Sequence, residues 1–184
     1  TEKNRFVFIT LDLIGVPKEF RVDVEKLAEE KYKLAPGSVL INASHTHSGP
    51  MLRAYRPPGS EKLLPSYSSI PDDEKDMRVQ QVIDYRKMLF GKIDQLFEKT
   101  LANLEPSSVT WSKARAGFAM NRRTPGGSSG WKNSPNPDAP VDHDVPVLQV
   151  KSADGKSLKA LLFGYACHAT TMGTLEIHGD WPGY

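Results

Sequence analysis

The chain has 184 residues, enough for one domain with a substantial core and too few for two. A formal net charge of +2 is too small to argue for nucleic acid or an anionic membrane surface as a partner, and no apolar run nears the roughly 20 residues that span a bilayer. The single cysteine, Cys167, excludes an internal disulfide framework.

From Phe6 to Ile14 the sequence is nearly all apolar or β-branched, which predicts a strand covered on both faces. Gly15 ends it, and Pro17 suits the first turn of a helix running to Leu34. Phe20, Val24, Leu27 and Ala28 supply the buried stripe of that helix. Pro36-Gly37 breaks it, and Ser38 to Ala43 reads as the next strand. The succession is a βαβ unit with a right-handed crossover. In open sheets of this kind ligands bind beyond the carboxyl ends of the strands.

At such an end stands Ser44-His45-Thr46-His47-Ser48-Gly49-Pro50. On an extended backbone two imidazoles separated by one residue point to the same side. The Ser-Gly-Pro turn then leaves both rings at the mouth of the strand. Neutral histidine is a common zinc ligand, so the pair is a candidate start of a metal site; two polar loop residues are the alternative.

A polar and aromatic loop over 53–75 would form a rim or lid, or a plain surface excursion. A long helix, Glu74 to Leu104, follows, with Val79, Val82, Ile83, Leu89, Phe90, Ile93, Leu96, Phe97, Leu101 and Leu104 as a core stripe. Ser108 to Phe118 alternates like a partly exposed strand, and Thr124 to Asp144 reads as a second long loop. Val145–Val150 and Ala160–Tyr165 make a hairpin whose turn carries Asp154-Gly155. Repeats and low-complexity segments are lacking. The second hairpin strand runs into Ala166-Cys167-His168-Ala169-Thr170-Thr171-Met172, so His168 is either a structural histidine or a third imidazole for the same metal. Cys167 would point to the opposite face if the strand persists, as a packed thiol. In Ile177-His178-Gly179-Asp180-Trp181-Pro182-Gly183-Tyr184, Asp180 either orients a histidine or belongs to a turn entering a helix. The opening just before a strand and the stop at Tyr184 suggest a fragment cut at both ends. The fold class expected is α/β: a mixed sheet with a βαβ unit and flanking helices, incomplete at both ends.

Taken together, these stretches resemble the amino-terminal catalytic domain of the neutral ceramidase family, zinc-dependent amidases acting on N-acyl sphingoid lipids. Ser44-His45-Thr46-His47-Ser48-Gly49-Pro50 is similar to the family's Thr-His-Thr-His-Ser-Gly-Pro signature. Leu11-Asp12-Leu13-Ile14 resembles the strand ahead of it, Met120-Asn121-Arg122 an Asn-Arg element, and Cys167 to Met172 a His-Pro-Thr-Ser-Met segment. The resemblance implies residues 1–184 as part of one catalytic domain, with His45 and His168 as zinc ligands. It makes His47 a catalytic residue facing the substrate and Arg122 a contact to the polar part of that substrate. A metal-activated water would cleave the amide of a ceramide-like lipid or another N-acyl amide. The family completes its metal site with a glutamate and a tyrosine, neither found before Tyr184, so this chain alone should bind zinc weakly and be inactive. Secretion or a periplasmic location, and peripheral membrane contact, also follow from the resemblance; the oligomeric state does not. Ala169 in place of proline, and Gly179-Asp180-Trp181-Pro182-Gly183-Tyr184 in place of Ser-Asp-Asn-x-Gly-Tyr, depart from the pattern and bear on the substrate more than on the metal. His178 has no family counterpart. The competing readings are another zinc amidohydrolase and a non-catalytic relative binding lipid or glycan through Tyr55, Tyr67 and Trp131. The lack of eight strand-helix repeats speaks against a barrel amidohydrolase.

Overall fold

The computed structural model describes residues 5–47, 49–53, 72–128 and 130–168. They form a mixed α/β fold in the order β1 (Val7–Leu11), α1 (Lys18–Glu30), β2 (Val39–Ala43), α2 (Asp72–Ala102), β3 (Ser107–Arg115), β4 (Arg123–Pro125), β5 (Trp131–Asn133), β6 (Asp144–Ser152) and β7 (Leu158–Phe163). Two compact units divide them, one reaching Asn103 and the other spanning Leu104–His168. Among the described residues no helix is long and apolar enough to cross a membrane.

In the first unit β1 and β2 pair in parallel, from Val7 opposite Val39 to Leu11 opposite Ala43. With α1 between them they are the βαβ unit expected from the sequence. Val7, Ile9, Leu11, Val39 and Ile41 pack on a cluster of Leu13, Phe20, Val24, Ala28, Leu34, Leu52, Ile93 and Phe97. The opposite face carries Phe8 and Leu40, register partners that are 55% and 54% exposed. The expectation of a strand covered on both faces is therefore corrected. An uninterrupted apolar run states what a strand tolerates and leaves open what covers it.

Strand β1 ends at Leu11, three residues before Ile14, and Leu13 keeps to the core-facing side. Helix α1 begins after Pro17 and stops at Glu30 instead of Leu34. Lys33 adopts a left-handed φ of 55°, and the Leu34 N–H returns to the Ala28 carbonyl at 3.0 Å. Leu34 thus closes the helix end with a buried side chain, a common way to satisfy terminal carbonyls. Helix α2 meets α1 through an edge contact of Phe20 with Phe90 at 6.3 Å, and meets the turn just past α1 through stacked Tyr32 and Phe97 rings, centroids 5.2 Å apart. The Lys31 ammonium and the Tyr32 hydroxyl both donate to the Asp94 carboxylate, at 2.7 and 2.6 Å. Of the predicted α2 stripe, Ile93 and Phe97 are fully buried, while Leu96 and Leu104 face outward. The stripe is narrower than its helical period suggests.

The second unit is an antiparallel sheet ordered β3-β6-β7, with Trp111 opposite Leu148 and Leu148 opposite Leu162. The β6–β7 turn uses Gly155 at a φ of 74°, and the Asp154 carboxylate accepts from Ser152 and from the Lys156 N–H. Within the stretch expected as one loop, 124–144, β4 and β5 form a small hairpin. Its turn is made by Gly126, Gly127 and Gly130, all at positive φ.

Candidate functional site

The histidine loop of the first unit continues the β1–β2 pairing past Ala43. The Ser44 N–H donates to the Leu11 carbonyl at 3.0 Å and the Thr46 N–H to the Leu13 carbonyl at 3.2 Å. Between them His45 sits at a φ of 62°, in the left-handed region. A non-glycine residue there costs of order 1–3 kcal/mol, and such outliers gather at functional sites. Histidine tolerates this region better than most side chains. The picture of two histidines side by side on an extended strand is corrected at this point, since the backbone turns at His45. Both side chains are exposed and their rings still meet, edge to face, with centroids 4.8 Å apart.

The ring of His45 is aimed by a specific contact. Its Nδ1 lies 2.7 Å from the Ile14 carbonyl oxygen. A carbonyl only accepts, so Nδ1 carries the hydrogen and, in the neutral ring, the lone pair is on Nε2. Thr46 between the two histidines turns the other way and is 2% exposed, its hydroxyl 2.7 Å from that of Ser44. Gly49 packs so closely that an added Cβ would lie 2.7 Å from the Asp12 carbonyl oxygen. That is within hard contact, so only glycine fits without displacing backbone.

In the second unit Arg122 is half-buried just ahead of β4, in a segment held by asparagines. Asn121 donates through Nδ2 to the Pro140 carbonyl at 2.9 Å and accepts the Arg123 N–H at 2.9 Å. Asn136 donates through its N–H to the Asn121 carbonyl at 2.7 Å and through Nδ2 to the Arg123 carbonyl at 2.8 Å. The Tyr165 hydroxyl accepts the Ala119 N–H at 3.0 Å and donates to the Ala116 carbonyl at 2.8 Å. His143 braces the same turn, with Nδ1 3.0 Å from the Ala116 carbonyl.

His168 is half-buried and lies five residues beyond the end of β7. Because β7 stops at Phe163, the alternation argument for opposite faces does not reach Cys167 and His168. Cys167 is a half-buried free thiol. Ser48, the 54–71 stretch with Tyr55 and Tyr67, the segment from Ala169 onward, His178 and Asp180 lie outside the described residues. The rings of His45 and His47 meet within the first unit, and Arg122 belongs to the second. Sequence reasoning missed Thr46, Asn136, His143 and Tyr165. The roles of Asn136, His143 and Tyr165 rest on backbone carbonyls far along the chain, and that of Thr46 on a burial and a turn that leave no local signature.

The donor chemistry of the histidine loop suits zinc. Metal-ligating imidazoles usually give their second ring N–H to a carbonyl or carboxylate, which fixes tautomer and orientation. His45 makes that arrangement with the Ile14 carbonyl.

No protein-family model matches the chain. It is 23% identical to neutral ceramidase B of Dictyostelium discoideum over 191 residues, which covers 98% of this chain and 24% of that protein. It also resembles a solved structure of a ceramidase complexed with C2. That likeness has a TM-score of 0.61 and 21% identity over 95% of this chain and 25% of the other. The chain thus spans about a quarter of the length of the relatives it matches. The sequence likeness supports a ceramidase-like relationship, and the structural likeness shows the mixed α/β fold.

Proposed function

We propose that the chain carries part of the active site of a zinc-dependent amidase of the neutral ceramidase type, cleaving ceramide-like N-acyl lipids. The observation that carries the reading is the His45 ring, its Nδ1 on the Ile14 carbonyl so that the neutral ring has its lone pair on Nε2, met edge-on by His47. Likeness to neutral ceramidase B over nearly the whole chain supports the same assignment.

In this reading His45 and His168 hold the metal. When bound, zinc supplies an acidified water and a polarised amide carbonyl. His47, alongside His45, faces the scissile group and donates to the oxygen on which charge develops. Arg122 binds the polar part of the substrate. The asparagine lattice fixes the backbone on either side of it, so less ordering of that segment is left to binding. Residues 1–184 belong to a single catalytic domain, acting in a secreted or periplasmic setting and touching membranes peripherally where its lipid resides.

The test is hydrolysis of a short-chain ceramide by the whole protein, before and after chelation and with zinc restored. Metal-dependent release of fatty acid is expected. A metal-free protein that binds lipid or glycan without turnover would replace the amidase with a binding module.

A further inference from the structure

We propose that Thr46 is a positioning residue that holds His45 in its left-handed conformation and so selects the ring nitrogen given to metal; the metal clause rests on the amidase reading. Ser44 and Thr46 flank His45, and each donates its N–H to the extension of β1, at Leu11 and Leu13. Their hydroxyls are 2.7 Å apart, and the Ser44 hydroxyl also reaches the Leu11 carbonyl at 3.5 Å. Either hydroxyl can donate in this pair, and the bridge closes in both cases.

The hydroxyl bridge therefore spans the residue between its two ends. It clamps the backbone of His45, where φ is 62° and an unconstrained histidine would relax to the extended or right-handed region. Relaxation would swing the imidazole away from the Ile14 carbonyl, 2.7 Å from Nδ1. Without that acceptor the neutral ring exchanges between its two tautomers, and the lone pair is no longer confined to Nε2. Thr46 is 2% exposed, so solvent cannot replace the bridge from its side. Gly49 closes the loop from the far end, where any side chain would strike the Asp12 carbonyl.

The experiment reads the tautomer directly. Long-range nitrogen–proton NMR correlations of His45 are recorded in the metal-free whole protein, for the native sequence, Thr46→Val and Thr46→Ser. Native protein and Thr46→Ser should show the Nδ1–H form. Thr46→Val, which keeps the shape and loses the hydroxyl, should show a mixture of tautomers. An unchanged Nδ1–H form in Thr46→Val overturns the proposal. Should Thr46→Val fail to fold, Ser44→Ala removes the same bridge from its half-buried end, with the same two outcomes. Zinc titration forms the second arm, with affinity expected to fall roughly 10–100-fold in Thr46→Val and to recover in Thr46→Ser. A tautomer change in a protein that binds no zinc would keep the positioning role and refute the metal reading. Zinc binding with no tautomer change would do the reverse.

Discussion

His45 and His47 stand two residues apart and are expected to do different work. His47→Ala should leave zinc bound while lowering kcat by about 10²–10³, the usual loss when one donor to a developing oxyanion is removed. His45→Ala should cost the metal itself. Arg122→Ala should act chiefly on KM if, as proposed, it binds the polar part of the substrate in ground and transition states alike. Steady-state kinetics on a short-chain ceramide, read beside metal content, separate the three. The residues proposed for these roles stand in motifs legible in the sequence. The His-x-His signature is local, and the Asn-Arg pair stands next to β4. What could not be read was the left-handed turn at His45, since histidine is not a residue that announces positive φ as glycine does. Nor could the Asn121–Asn136 lattice be foreseen, because it joins residues fifteen positions apart through backbone carbonyls.

Among the elements, the α1–α2 pair bears most of the first unit's packing. Ile93 and Phe97 are 2% and 3% exposed, so Ile93→Ala should destabilise by about 2–5 kcal/mol in denaturant unfolding. Leu96→Ala, one residue before Phe97 but 58% exposed, should cost far less. At the start of β2, Ser38 is 4% exposed and its hydroxyl has no hydrogen-bond partner among the described residues. Ser38→Ala is expected to be neutral or to stabilise by up to about 1–3 kcal/mol, since it removes an unsatisfied buried group.

The same helix pair sets a pH response. Hydrogen bonding to Lys31, and then to Tyr32, holds the Asp94 carboxyl below its ordinary 3.8. The bond to Asp94 in turn raises Lys31 above 10.5. Asp94 therefore adds stability above its unfolded pKa and loses it as pH falls through the lower folded value. Lys31 adds stability below its unfolded pKa and loses it as pH rises through the higher folded one. These groups leave Tm flat between about pH 5 and 9, and Asp94→Asn should reduce its fall on the acid side. The βαβ unit itself was readable because Pro17 and Pro36-Gly37 punctuate it. The β4–β5 hairpin was not, since its three-residue strands sit in a glycine- and proline-rich stretch with no alternation to detect.

For the whole molecule, the amidase proposal requires both His45 and His168 for metal binding. The fold class was expected as α/β from the alternation of apolar runs and a helical period. That β1 and β2 leave Phe8 and Leu40 exposed could not be foreseen, because cover is a property of neighbours and not of the strand. The most direct measurement is zinc content by elemental analysis of the whole purified protein. Native protein and His47→Ala should each hold one equivalent, and His45→Ala and His168→Ala should hold little. A native protein without zinc, or full zinc retention in His168→Ala, would contradict the account.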